Sequence, residues 1–112
     1  MSELFDKQVR FTLMLAKLTA FAEQNGYQLT LGDAYRDPRV HGKLGEKVGY
    51  GKANSCHKMR LAQDYNLFRN GTWLVRTEDF EPLGLFWESI GGSWGGRFED
   101  GNHFSLEHGG KR

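Results

Sequence analysis

The sequence predicts a fold of the α+β class, in which flanking helices cover a small antiparallel sheet. Two segments repeat apolar residues at intervals of three and four, as amphipathic helices do, and shorter segments alternate apolar and polar residues, as half-buried strands do. An Asn-Gly pair between two strand segments is typical of a tight hairpin, which joins antiparallel strands. The 112 residues contain no internal repeat, so we expect one domain over residues 1–112.

The first helix and the first strand are predicted near the amino terminus. The helix has an apolar face made by Leu4, Phe11, Met14, Leu15, Leu18, Phe21 and Ala22. Asn25-Gly26 is well suited to end it. Leu29 and Leu31 then alternate with polar residues, which predicts a strand with Leu31 on its half-buried side.

The middle of the chain predicts a long loop and a hairpin. Residues 37–54 contain one proline and four glycines among scattered charges, a composition that favours a surface loop. Residues 61–68 then form a second strand, which places Asp64 on a rigid element. Asn70-Gly71 supplies the positive backbone angles of a tight turn, and residues 73–75 return as the next strand.

A second helix and a last strand complete the predicted elements. Thr77 is expected to cap a helix whose apolar side is made by Phe80, Leu83, Phe86, Trp87 and Ile90. Residues 91–96, rich in glycine, are expected to form a loop. Residues 102–106 alternate again, with Phe104 and Leu106 on one side and His103 and Ser105 on the other, so His103 can face a cleft.

Composition excludes several classes of protein. A net charge of +1 with interspersed signs gives no basic field for a phosphate backbone, so nucleic acid is not an expected partner. The single cysteine, Cys56, cannot form an intramolecular disulfide, which is compatible with a reducing cytoplasm. Residues 11–22 are interrupted by Lys17 and lack a clear cleavage site, so we expect no signal peptide and no membrane insertion.

Three side chains point most directly to chemistry. His57, Asp64 and His103 make a set of two imidazoles and one carboxylate, which leaves a fourth tetrahedral position on zinc for water. Taken singly, each has an ordinary interpretation, as a polar loop residue, a solvated strand residue or a hydrogen-bonded histidine at a strand edge. Asp100 or Glu99 supplies a further carboxylate, and the residues alone do not choose between them.

The motifs together resemble a known family. They are Tyr35-Arg36-Asp37-Pro38, Ser55-x-His57, Ala62-x-Asp64, Trp94-Gly95-Gly96 and Asp100-x-x-His103-Phe104. This combination is similar to the zinc peptidases of the hedgehog/DD-peptidase fold. That family includes D-alanyl-D-alanine carboxypeptidases and the small L-alanyl-D-glutamate endopeptidases that act as phage endolysins.

The resemblance implies a role for each matched residue. It implies that His57, Asp64 and His103 bind Zn²⁺ and that Asp100, rather than Glu99, is the catalytic base. Arg36 is implied to hold the substrate or to stabilise charge on the scissile carbonyl, and Ser55 to line the substrate cleft. One departure is Arg60, where many members of the family carry glycine.

The expected function is that of a zinc-dependent peptidoglycan peptidase, of the endolysin type that cleaves between L-alanine and D-glutamate in the stem peptide. D-Ala-D-Ala carboxypeptidase activity is the alternative within the same chemistry. The stem peptide is the expected partner of a monomeric enzyme, which resides in the cytoplasm of the bacterial host before its release to the cell wall.

Two further hypotheses come from other classes of protein. Cys56, next to His57, suggests a thiol peptidase in which His103 or His41 activates the cysteine. Adjacent residues of an extended chain point to opposite sides, so His57 itself is poorly placed for that task. The second hypothesis is a zinc-stabilised module that binds cell-wall peptide without cutting it.

Overall fold

The computed structural model describes residues 2–34 and 56–112. The two helices are α1 (Glu3–Gln24) and α2 (Glu81–Ser89). The strands are β1 (Gln28–Leu31), β2 (Ala62–Arg69), β3 (Thr72–Leu74), β4 (Ser93–Trp94) and β5 (His103–Ser105). Three 3₁₀ turns cover Cys56–Met59, Thr77–Phe80 and Gly95–Phe98. Two helices and a small antiparallel sheet confirm the predicted α+β class.

Helix α1 forms where the apolar period predicts it. The Ser2 hydroxyl accepts a hydrogen bond from the Phe5 backbone N–H at 3.1 Å, which satisfies one of the unpaired donors at the helix start. The helix ends before Asn25, and Gly26 follows with φ of +81°, a conformation that glycine adopts freely. Its buried residues are Phe11, Met14, Leu18 and Ala22.

Strand β2 is the centre of the sheet, because it pairs with three other strands, all antiparallel. Strand β1 lies along one edge of β2, with Leu31 opposite Tyr65. Strands β3 and β5 both pair with β2, and β4 lies beyond β5. The β2–β3 hairpin turns at Asn70 and Gly71, both with positive φ, as their sequence predicts.

The two faces of the sheet have different surroundings. One face packs on the helices, where the Phe104 ring contacts Trp87 edge to face at a centroid distance of 5.9 Å. Trp87 is fully buried and also meets Phe11 of α1. Side chains alternate along a strand, so Asp64 and His103 project from the opposite face. The aromatic core therefore fixes the strands that carry these two residues.

Three local predictions are wrong. Leu31 is 74% exposed, because it lies at the end of β1 rather than over the core. Thr77 does not cap α2, since its hydroxyl accepts a hydrogen bond from the Gly101 backbone N–H instead. Residues 91–96 are not simply a loop, because Ser93 and Trp94 pair with β5.

The loop predicted over residues 37–54 lies outside the described residues. Neither described helix combines the length and apolar character needed to cross a membrane.

Candidate metal centre

The structure brings three candidate ligands together. One ligand atom from each of His57, Asp64 and His103 lies within 4.8 Å of the other two. Asp64 Oδ1 is 3.1 Å from His57 Nε2 and 3.2 Å from His103 Nδ1. Both histidines are buried, and the Asp64 side chain is 17% exposed. These three residues come from a 3₁₀ turn and two strands, so only the folded chain assembles them.

A backbone carbonyl orients His57. The Ala34 carbonyl oxygen lies 2.6 Å from His57 Nδ1, and a carbonyl only accepts hydrogen bonds, so Nδ1 carries the proton. Ala34 is in place because the chain after β1 continues alongside β2, where the Asp64 backbone N–H donates to the Asp33 carbonyl at 2.7 Å. In a neutral imidazole, the lone pair is then on Nε2, which faces Asp64.

Strand register aligns Asp64 with His103. The two residues are direct partners in the antiparallel pairing of β2 and β5, so their side chains leave the same face of the sheet side by side. The rings of His57 and His103 meet at a centroid distance of 5.1 Å. The pairing of two strands thus supplies two ligands, and the 3₁₀ turn before β2 supplies the third.

The electrostatics of these three side chains suit a cation. Burial would raise the pKa of the Asp64 carboxyl, but hydrogen bonding to His103 and His57 outweighs burial and lowers the pKa to about 2. Because Nδ1 of His57 donates to Ala34, Nε2 can donate to Asp64 only when both ring nitrogens carry a proton. Neutral His57 instead turns a lone pair toward the carboxylate oxygen, and two acceptors at 3.1 Å need a proton or a cation between them. Two imidazole nitrogens and one carboxylate oxygen are ligands that zinc prefers.

His103 supports the same interpretation. Its Nε2 atom is buried and has no hydrogen-bond partner in residues 2–34 and 56–112. The ring lies against the rings of His57 and Phe98, and Asp64 faces Nδ1 at 3.2 Å. The histidine is therefore free to present Nδ1 as a ligand. The residues present fit a divalent metal ion.

Asp100 lies at the start of the turn that leads to His103. Its backbone N–H donates to the Gly95 carbonyl at 2.8 Å, and its own carbonyl accepts from the His103 N–H at 3.1 Å. Gly95 is required there, because a Cβ would overlap the Asp100 carbonyl oxygen. The Asp100 side chain is exposed. The backbone is thus fixed while the carboxylate remains accessible.

Trp94 and Thr77 hold this turn through hydrogen bonds to Gly101. The Trp94 indole N–H donates to the Gly101 carbonyl at 2.8 Å, and the Gly101 N–H donates to the Thr77 hydroxyl at 3.2 Å. The Trp94 ring is buried against Gly84 and Gly96, where any Cβ would overlap it. Trp94 therefore acts in packing, and Thr77 is a supporting residue that the sequence did not reveal.

Cys56 is not suited to be a nucleophile. The thiol is fully buried, and its sulfur lies 3.7 Å from the Leu106 carbonyl oxygen, to which it donates. Burial raises its pKa to about 11, so the reactive thiolate is scarce at neutral pH. Cys56 and His57 lie in a 3₁₀ turn rather than an extended segment, so the alternation argument does not apply to them. The structure opposes the thiol hypothesis through burial.

Arg60 adopts an unusual backbone conformation. Its φ is +60°, in the left-handed region that favours glycine. This is the position where many members of the family that the motifs resemble carry glycine. The conformation explains why glycine suits this position.

Some sequence predictions lie outside the described residues. Arg36, Ser55 and His41 are among them. Of the residues that the structure does describe, the Ala34 carbonyl was missed entirely. A backbone carbonyl belongs to every residue type, so no sequence signal identifies this one.

One comparison with known proteins gives a match. A family model described as D-alanyl-D-alanine carboxypeptidase matches residues 49–106, which are 58 of the 112 residues. The matched range includes His57, Asp64, Asp100 and His103, and it excludes Arg36. No curated protein matches the chain.

Proposed function

Since the chain belongs to the D-alanyl-D-alanine carboxypeptidase family of peptidases, we propose that it is a zinc-dependent peptidoglycan peptidase that cleaves between L-alanine and D-glutamate of the stem peptide. The observation that carries the proposal is the convergence of His57, Asp64 and His103, whose ligand atoms lie within 4.8 Å of one another. These three residues would hold the metal through two nitrogens and one oxygen.

The metal supplies one part of the chemistry. Zinc bound by three protein ligands polarises a carbonyl and lowers the pKa of water to about 7. Ala34 and the strand pairing keep His57 and Asp64 in position for this task. Ligands on rigid elements hold their geometry better than ligands on loops.

Asp100 is proposed as the general base. It takes a proton from the attacking water and passes it to the departing amine, so the peptide C–N bond breaks as the new C–O bond forms. Its position three residues before His103 and its accessible side chain support this role. Arg36 is proposed to stabilise the developing oxyanion and Ser55 to line the substrate cleft, both on the strength of the motifs alone.

Carboxypeptidase activity on the terminal D-Ala-D-Ala bond is the second candidate. The description of the matching family model favours it directly. The endopeptidase is preferred because the Ser-x-His-x-x-Arg-Leu-Ala-x-Asp form of the motif, residues 55–64, resembles the short phage endolysins. Both reactions use the same ligands and the same base, so they differ only in which bond the cleft places at the metal.

A single substrate tests both candidates. The pentapeptide L-Ala-γ-D-Glu-L-Lys-D-Ala-D-Ala contains both bonds, and mass spectrometry of the products of the zinc-loaded protein identifies the one that is cut. We expect free L-alanine and a tetrapeptide. Release of the terminal D-alanine instead would show that the chain is a carboxypeptidase and not an endopeptidase.

Asp100→Asn is the matched variant for this assay. It removes the base and retains the three ligands, so zinc stoichiometry should stay at one while the rate falls by a factor of about 10² or more. If wild type and variant both leave the peptide intact, but bind it equally, the chain is a binding module rather than an enzyme. If the variant cuts as fast as wild type, Asp100 is not the base.

A further inference from the structure

A cleft of about 240 Å³ is lined in part by Asp100, and the proposed mechanism assigns no role to its other lining residues. It runs between the β2–β3 hairpin and the turn that precedes β5. Its lining includes Asn66, Trp73, Val75, Phe80, Glu99 and Asn102. We call it the hairpin cleft.

The hairpin cleft is lined by residues that neighbour the metal ligands Asp64 and His103 in the chain. Asn66 follows Asp64 by two residues on β2, so both side chains leave the same face, roughly 6.6 Å apart. Asn102 immediately precedes His103, and Asp100 itself lines the cleft. A peptide whose scissile bond is held between the metal and Asp100 therefore extends into the hairpin cleft on one side.

The lining of the cleft favours a positively charged group. Glu99 and Asp100 contribute carboxylates, and no lysine or arginine is among the described residues that line it. Glu99 also borders a neighbouring cleft that contains Arg76 and Arg97, where Arg97 is already paired with Glu88 at 2.6 Å. Trp73 is 62% exposed, so one indole face is available to a ligand. A carboxylate beside an exposed indole is an arrangement that attracts ammonium groups.

The backbone at Glu99 is constrained. Glu99 has a φ of +61°, in the left-handed region, and its N–H donates to the Gly96 carbonyl at 3.4 Å. A left-handed residue that is not glycine carries a conformational cost. The turn that carries Glu99 is thus fixed next to Asp100, with the Glu99 side chain on the cleft wall.

We propose that the hairpin cleft binds a substrate side chain that ends in a primary ammonium group, with Glu99 as the ion partner and Trp73 as the aromatic face. The inference rests on the proposed function, because it assigns specificity to the same site. The stem peptide residue with a free side-chain amine is the group that would enter the cleft.

Two pentapeptides test this inference. One is L-Ala-γ-D-Glu-L-Lys-D-Ala-D-Ala, and the other carries 6-hydroxynorleucine in place of lysine, which has the same number of side-chain heavy atoms but no charge. We expect kcat/KM of the zinc-loaded wild type to favour the lysine peptide by about tenfold, the size of one ion pair together with one cation–π contact. Glu99→Gln should reduce that preference to within about twofold, and Trp73→Leu should reduce it by about threefold.

Glu23→Gln is the matched control, because it makes the same change at an exposed position near the end of α1. It should keep the tenfold preference. A preference that survives intact in Glu99→Gln, or that is absent in wild type, overturns the inference. Circular dichroism of each variant establishes that it is folded.

Failure of the proposed function gives a different result. If neither peptide is cut, the proposed function is wrong. Calorimetric titration of the zinc-loaded protein with the two peptides then tests the hairpin cleft on its own. Tighter binding of the lysine peptide that is lost in Glu99→Gln supports the hairpin cleft. Equal binding of both peptides overturns it.

Discussion

Asp64 and His103 are direct partners across the pairing of β2 and β5, and Asp64 Oδ1 lies 3.2 Å from His103 Nδ1. Residues that face each other in an antiparallel pair have fixed relative positions, because the backbone hydrogen bonds on either side determine them. Two of the three candidate ligands are therefore aligned by the sheet itself. The third, His57, is aligned by the Ala34 carbonyl.

Asp64→Asn should lower zinc affinity by at least about 100-fold, since it replaces an anionic ligand with a neutral one that also brings a donor. Zinc content measured by elemental analysis after dialysis, and Kd measured with a competing chelator, both report the loss. His108→Ala removes a histidine outside the cluster and should retain one zinc per chain. Equal zinc content in Asp64→Asn and His108→Ala would contradict the assignment.

Acid should release the metal through the imidazoles rather than through Asp64. The pKa of Asp64 is lowered to about 2, so its carboxylate remains ionised at every pH at which zinc is bound. Histidine ligands must be unprotonated to coordinate a metal, so zinc affinity should fall as the pH is lowered from 8 to 4. A competition titration from pH 8 to pH 4 measures this. Affinity that is constant down to pH 4 would exclude histidine ligation.

Gly84→Ala should destabilise the fold, although the same change stabilises most helices by about 1 kcal/mol. A Cβ at residue 84 would overlap the buried Trp94 ring, which then has to move. We expect a loss of about 2 kcal/mol in the free energy of unfolding, measured by urea denaturation. The loss should shrink when Trp94 is also replaced by leucine, because the clash is then relieved. Equal losses in both backgrounds would show that Trp94 is not the obstacle.

The amount of structure that the sequence predicts differs between elements. The apolar periods of α1 and α2, and Asn70-Gly71 of the hairpin, are local signals that the structure confirms. The prediction that Thr77 caps α2 is wrong because a hydroxyl can accept a hydrogen bond from any nearby donor. Here tertiary packing brings the Gly101 N–H to it. A local pattern cannot report a partner 24 residues away.

The candidate site shows the same division. The motifs single out His57, Asp64 and His103, and the structure brings them together. The Ala34 carbonyl that orients His57 depends on the path of the chain after β1, not on the identity of residue 34. The hairpin cleft depends on which strands β2 pairs with, which the sequence does not specify. The three side chains that converge could therefore be predicted from the sequence, whereas the backbone carbonyl and the cleft could be found only from the fold.

Arg60→Gly should be more stable than Arg60→Ala, although alanine usually stabilises a folded chain more than glycine does. Both substitutions remove the same arginine contacts, but only glycine adopts a φ of +60° without strain. We expect the glycine variant to be more stable than the alanine variant by about 1 kcal/mol, as measured by chemical denaturation. An alanine variant of equal or greater stability would mean that residue 60 leaves the left-handed region.

Cys56 predicts how stability depends on alkaline pH. Its pKa is raised from 9.0 to about 11 by burial, so the folded state holds the thiol proton more tightly than the unfolded chain does. The protonated thiol therefore contributes to the free energy of unfolding. This contribution is fully present below pH 9, and roughly 2–3 kcal/mol of it is lost as the pH rises towards 11. Cys56→Ala cannot titrate at residue 56, so the difference in free energy of unfolding between wild type and this variant should narrow between pH 9 and pH 11.

Urea denaturation at several pH values between 7.5 and 10.5 measures the difference. A constant difference over that range would show that the thiol is accessible to solvent in the folded protein, and rapid labelling of the native protein by a thiol reagent would agree.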